Sequence, residues 1–182
     1  MTLGVLGDTH GNRPLMHQAV DLMLGQHGVD LFFHLGDDYA DAEELAACGY
    51  PVRMVPGLWC RQYHDGRIPN RLIETIDGLT VAAAHADKDL GAAGERAAIV
   101  LTGHTHAAGI RLAAASLHVN PGHLKAPLSR RQRASCAVIA IDGGQVRAAI
   151  LETSGQVRAE RSVARAALNA LSDSANRIRR EV

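Results

Sequence analysis

Asp8 and His10 stand one residue apart in Gly-Asp-Thr-His-Gly, Asp37 follows Gly36, and His104 and His106 repeat the one-residue spacing in Gly-His-Thr-His. Carboxylate oxygens and imidazole nitrogens are the donors that first-row transition metals prefer. Two such side chains separated by one residue converge on a cation where a strand has just given way to a turn. One Asp-x-His arises by chance. Three pieces in series, each behind an apolar run, read instead as one binuclear metal site of the rigid kind that hydrolysis needs.

The runs that must position these residues are strand-like: residues 3–7, 31–35 and 98–102. After the first, Pro14 suits an opening helical turn, and Met16, Ala19, Val20, Met23 and Leu24 recur at helical spacing until Gly25 and Gly28, which are expected to end the helix. A second helix over 41–48 precedes a strand over 52–55. This β-α-β-α-β order implies a parallel sheet with crossover helices. Residues 72–76 and 79–83 flank Asp77-Gly78, a hairpin signal. A short helix over 91–96 and a second hairpin, 137–141 with 145–151, complete the pattern.

At 182 residues the chain has room for one domain with a real core. Lys plus Arg and Asp plus Glu number 19 each, so no global charge draws it to nucleic acid or to an anionic membrane. The basic run Ser129-Arg130-Arg131-Gln132-Arg133 reads as a solvated loop rather than a nucleic-acid site. No apolar stretch approaches the roughly 20 residues of a membrane span. Cys48, Cys60 and Cys136 are odd in number and scattered, and no basic leader precedes the first strand. The expectation is a reducing cytoplasm, with no membrane association.

All six aromatics fall between residues 32 and 63. Phe32 and Phe33 read as sheet packing, while Trp59 and Tyr63 lie beyond a strand, either packed in the loop or walling a substrate pocket. From Gln156 onward, Val163, Ala167, Leu171, Ala175, Ile178 and Val182 step by three or four, which predicts a helix over 157–182 ending in Arg177, Arg179 and Arg180. Its apolar face would pack on its own domain or join two chains in a homodimer.

Taken with Ala84-His85 and Asn120-Pro121-Gly122, the motifs Gly7-Asp8-Thr9-His10-Gly11, His34-Leu35-Gly36-Asp37 and Thr102-Gly103-His104-Thr105-His106 resemble the calcineurin-like metallophosphoesterases, in particular their small bacterial and archaeal phosphodiesterase branch. The resemblance covers residues 1 to about 152. It implies an α/β fold, a four-layer α-β-β-α sandwich of two mixed sheets flanked by helices, over residues 1–155, beyond which the helix read from the spacing over 156–182 is an extension. It further implies that Asp8, His10, Asp37 and His106 hold one divalent metal, and that Asp37, His85 and His104 hold a second. Manganese is the implied ion, with iron, zinc, nickel and cobalt as alternatives.

The implied reaction is hydrolysis of a small phosphate ester, a diester rather than a monoester, by a hydroxide shared between the metals, with Asp37, His85 and His104 as catalytic residues. Asn12, Asp87 and His64 are the expected substrate contacts, and His64 is a candidate proton donor to the leaving group. Asn120 and Pro121 are read as structural support behind His104 and His106. The pattern departs from the family at Leu58, where an Asn oxygen normally completes the second site, and at Asp87, where relatives carry a His. Water or Asp87 could fill the gap left by Leu58, and Cys60 is a weaker candidate. Leu58 motivates a rival expectation, a binding or scaffold protein on the same fold.

Overall fold

The computed structural model describes residues 1–168. The chain alternates β1 (Thr2–Leu6), α1 (Arg13–His27), β2 (Leu31–His34), α2 (Tyr39–Ala47) and β3 (Val52–Met54). A 3-10 turn at Arg61–His64 then leads to β4 (Arg71–Ile76) and β5 (Leu79–Ala84), and a second at Asp87–Asp89 to α3 (Gly91–Glu95) and β6 (Ile99–Thr102). Seven further strands follow: β7 (Gly109–Ala113), β8 (Ser116–Asn120), β9 (Leu128–Ser129), β10 (Gln132–Arg133), β11 (Ser135–Ile141), β12 (Gln145–Glu152) and β13 (Val157–Ala164).

These strands make a six-stranded sheet in the order β13-β12-β11-β1-β2-β3, a five-stranded sheet in the order β4-β5-β6-β8-β7, and the small β9-β10 ribbon. Both large sheets are mixed. In the first, β1 runs parallel to β2 and antiparallel to β11. In the second, β5, β6 and β8 are parallel while β4 and β7 are antiparallel edges.

Alternation along each strand decides what lies between the sheets. Leu3, Val5 and Phe33 of one sheet meet Val81, Ile99, Leu101 and Leu117 of the other in one buried cluster. Removing a ring such as Phe33 from this layer would cost about 3–5 kcal/mol, since the surrounding strands cannot collapse into the void. On the outer face of the first sheet, Leu6 and Phe32 pack under Met16, Ala19, Val20 and Met23 of α1, and under Leu45 of α2. Gly4 makes room there, because a Cβ at that position would lie 2.7 Å from the Phe32 ring. Leu90 and Ala97, flanking α3, cover Ala82, Ala84 and Val100 on the second sheet. This is the four-layer sandwich, with a thin fourth layer.

The helix α1 is capped by Asn12, whose Oδ1 accepts from Leu15 N, and ends at Gly28, left-handed at φ 59°. It therefore runs through Gly25. A mid-helix glycine costs about 1 kcal/mol, less than burying the side chains that continue along the same face returns.

Two segments differ from the sequence expectation. Residues 157–164 form strand β13, antiparallel to β12, rather than the start of a helix. The apolar side of β12 needs a neighbour, and Val163 pairs with Val146 to extend the buried layer. Residues 165–168 are helical, and Leu168 packs into the same layer. The remainder of the expected helix, with its dimer contact, lies outside the described residues. The β7-β8 hairpin is the second difference. No helix among the described residues is long and apolar enough to cross a membrane.

Candidate metal centre

Strands β1, β2, β5 and β6 all end at one rim of the sandwich, and the residues that follow them meet there. Asp8, His10, Asp37 and His106 each offer an oxygen or nitrogen atom, and these atoms all lie within 4.8 Å of one another. His10 Nε2 is 3.2 Å from His106 Nε2 and 3.4 Å from Asp37 Oδ2. His106 Nε2 lies 3.7 Å from Asp8 Oδ1. On the other side of Asp37, its Oδ1 is 3.2 Å from His85 Nε2.

Convergence requires an unusual backbone. Asp8, His10, His104 and His106 all have positive φ, between 49° and 65°. Left-handed conformations are uncommon outside glycine, although Asp and His adopt them more readily than most residues. Here they let strands stop abruptly and turn successive side chains toward one point. Glycines supply the remaining closeness: a Cβ at Gly57 would collide with the Asp37 carboxylate, and one at Gly103 would sit 3.0 Å from Asp8 Oδ2.

Hydrogen bonds fix the orientation of these side chains. His85 Nδ1 donates to the Leu35 carbonyl at 2.6 Å, so its Nε2 carries a lone pair aimed at Asp37. The backbone N–H of His104 donates to the Asp8 carboxylate, at 3.0 Å to Oδ2. Asn120 Nδ2 donates to the Gly103 carbonyl at 2.9 Å and to Thr105 Oγ1 at 3.0 Å, which pins the loop carrying His104 and His106. The support expected of Asn120 is thus visible in its bonds. Buried Asp41 accepts from Gly11 N and Arg13 Nε, and so ties down the turn that follows His10.

Some polar atoms at the centre have no hydrogen-bond partner among the described residues. Asp37 Oδ1, His85 Nε2 and His106 Nδ1 are buried without hydrogen bonds. Burial, reinforced by the Asp37 charge, pushes Asp8 up to about 8 against the pull of the His104 N–H. Burial holds His106 down at about 4, helped by His10 and His123. His10 and His85 also lie below the ordinary imidazole value, with burial the main cause. Two crowded carboxylates and several neutral imidazoles form an electron-rich hollow, and a cation is what stabilises such a group.

His104 brings its ring edge-on to His85, with centroids 5.1 Å apart, and is exposed at the rim. The three expected substrate contacts fall elsewhere. The side chain of Asn12 is engaged in capping α1 and in a bond to the Lys125 carbonyl. His64 lines a neighbouring hollow with Arg61, Gln62 and Asp65. Exposed Asp87 borders a third, beside Thr102, His118 and Asn120. Tyr63 turns its hydroxyl away to donate to Asp89 Oδ1 at 2.7 Å. Leu58 is half-buried.

Beside the ligand cluster opens a cleft of about 420 Å³ whose lining includes His10, Asp37, Tyr39, Trp59, Cys60 and Arg61. Burial raises the Cys60 thiol above its ordinary value, which leaves it a poor ligand at neutral pH. Two buried histidines back the centre, and their burial could not be read from the sequence. His34, 3.5 Å from Thr9 Oγ1, is held down to about 4 by burial, and His123 packs its ring 5.4 Å from that of His106. His34 sits in a motif already noticed, but nothing in its spacing marks it as buried behind the centre.

The model of the calcineurin-like phosphoesterase superfamily domain matches residues 1–144. The chain belongs to this superfamily. Among solved structures it is similar in fold to a predicted phosphoesterase from Streptococcus pneumoniae, with 24% identity, a TM-score of 0.65, and coverage of 90% of this chain and 97% of the other. It is also similar to the phosphoesterase YfcE of E. coli, at 17% identity and a TM-score of 0.66, covering 88% and 98%. Zinc-complexed Vps29 from Entamoeba histolytica is similar at 16% identity and a TM-score of 0.64, covering 90% and 99%. No curated protein matches. The superfamily and the Asp/His cluster together support use of a divalent metal.

Proposed function

We propose that this chain is a metal-dependent phosphoesterase acting on phosphodiesters, with Asp8, His10, Asp37 and His106 holding one transition-metal ion and Asp37, His85 and His104 holding another. The observation that carries this reading is the pairing of lone-pair atoms: His10 Nε2 faces His106 Nε2, and Asp37 Oδ1 faces His85 Nε2, each at 3.2 Å. Mixed carboxylate and imidazole donors suit manganese, iron, zinc, nickel or cobalt alike, and manganese is the ion that the resemblance to the family implies. When bound, such ions polarise phosphoryl oxygens and acidify water for in-line attack.

The chain's own contribution is order. His85 is fixed in one tautomer by Leu35, Asp8 is held by the His104 N–H, and the loop carrying both distal histidines hangs from Asn120. Asp37 lies between the two groups and also lines the open cleft, so an ester seated there has its phosphate next to Asp37. His104 stands exposed at the same rim. The three cysteines form no disulfide, which suits a cytoplasmic setting.

Protein purified without chelator is expected to carry close to two metal ions per chain and, with added manganese, to hydrolyse an aryl phosphodiester faster than the monoester. A metal-free protein that stays inactive toward both esters with manganese, zinc or cobalt would sink the reading. Leu58 favours a second reading, a scaffold with an impaired second site, and the fold is one shared with Vps29, a vacuolar protein sorting protein. One ion per chain with no turnover would select it.

A further inference from the structure

The cleft beside the ligand cluster is lined by two unlike groups of residues. One is His10 and Asp37. The other is built by the segment after β3, where Trp59 is 88% exposed, with Arg61 next to it and Tyr39 on the same wall. An indole almost wholly in water has no packing role to explain it, and its apolar area stays available to a ligand. Arg61 is exposed and makes no ion pair among the described residues, so its guanidinium is uncommitted. The volume, about 420 Å³, falls within the range of roughly 300–1,000 Å³ typical of small-molecule sites.

We propose that Trp59 and Arg61 form a specificity subsite that receives a planar aromatic group carried by the alcohol, sugar or phenol, that is esterified to the phosphate held beside Asp37. Trp59 stacks on the ring, since every aromatic heterocycle presents a π face regardless of its hydrogen-bonding edge. Arg61 meets a phosphoryl oxygen on the cleft side, where a planar guanidinium is the preferred donor. Asp38 lines the same cleft and sets a carboxylate against any further phosphate, so the occupant is one aromatic group joined through a single phosphate. A nucleobase and a simple aryl ring share this chemistry.

This inference rests on the phosphoesterase reading, and its test separates the two. Trp59 is the only tryptophan in the chain, so intrinsic fluorescence reports on this one position without any need for turnover. AMP and phenyl phosphate are expected to quench it in a saturable manner, whereas ribose 5-phosphate is not. Tighter AMP than phenyl phosphate identifies the group as a nucleobase, and the reverse identifies a simple aryl ring. Arg61→Met should shrink the advantage of AMP over adenosine.

In hydrolysis, Trp59→Ala should lower the ratio of kcat/KM for an aromatic diester to that for an alkyl diester by about tenfold, mostly through KM, and Trp59→Phe should restore most of it. Equal response to AMP and ribose 5-phosphate, or an unchanged ratio in Trp59→Ala, overturns the subsite. Quenching by AMP in a protein that hydrolyses nothing would overturn the phosphoesterase reading and leave the subsite standing. Hydrolysis without aromatic preference would do the opposite.

Discussion

The Nε2 atoms of His10 and His106 face each other at 3.2 Å, although the residues are separated by 96 positions in the chain. Two neutral imidazoles so placed cannot both present lone pairs without repulsion, and two protonated ones would repel more strongly. Either a shared proton or a cation relieves the contact. The crowding of Asp8 and Asp37 on the same hollow favours the cation.

Asp37 contacts both groups at ligating nitrogens, through Oδ2 to His10 Nε2 and through Oδ1 to His85 Nε2. Asp37→Ala is expected to remove most bound metal and to lower kcat/KM at least about 100-fold, more than the loss usual for a supporting residue. Elemental analysis with steady-state kinetics checks this. Equal metal content in variant and wild type would refute the shared role.

The pH dependence follows from Asp8 and His106. Asp8 lies at about 8 in the folded chain against 3.8 in the reference, so the metal-free fold loses stability as pH rises between those values. His106, lowered from 6.5 to about 4, acts in the opposite sense, and its contribution is lost as pH falls through that window. Metal binding needs Asp8 ionised. At pH 7 it should therefore release close to one proton, and affinity should rise about tenfold per unit up to about pH 8. Calorimetry in buffers of different ionisation heat measures the proton, and a pH-independent affinity between 6 and 8 would contradict the assignment.

Gly57 lies against the Asp37 carboxylate with no space for a methyl group. Gly57→Ala is expected to displace Asp37, weaken metal binding about tenfold or more, and cost about 1–3 kcal/mol of stability through overpacking. A thermal melt and a metal titration on the same preparation test both effects. Wild-type affinity in the variant would show that Asp37 has freedom to move.

Leu58 supplies no donor. Leu58→Asn is expected to tighten the weaker of two metal sites by about tenfold and to raise phosphodiester turnover accordingly. Because Leu58 is only half-buried, the new amide keeps contact with solvent and the cost in stability stays near 1 kcal/mol. Unchanged metal binding and kinetics would mean that the side chain does not face the centre.

The centre was legible because its donors are chemically rare and sit at strand ends, where Asp8, Asp37 and the two histidines after β6 announce themselves by type. Their supports were less visible. Nothing in local sequence distinguishes a buried Asp41 or His34 from a solvated one, since burial is decided by what folds on top. Strand β13 was hidden by Val163 and Ala167, whose spacing of four suits a helix, while Val157, Ala159 and Val163 also fit a two-residue period. The β7-β8 hairpin lacks the usual turn residues, and Ala114 itself takes the left-handed conformation at φ 51°. The bonds of the Asn12 side chain to Leu15 N and to the Lys125 carbonyl are likewise not announced by its place after Gly11.

The left-handed backbone at Asp8, His10, His104 and His106 bears on how this chain could drift. Glycine would occupy each of these conformations without steric penalty, so a protein that made no use of cations would gain stability by accepting it. Strained conformations of this kind persist where the surroundings over-determine them and function rewards them. All four positions carry oxygen or nitrogen donors, while Leu58, which carries none, is at a position without that strain. At these four positions the conformational cost is carried by side chains that meet at one rim of the sandwich.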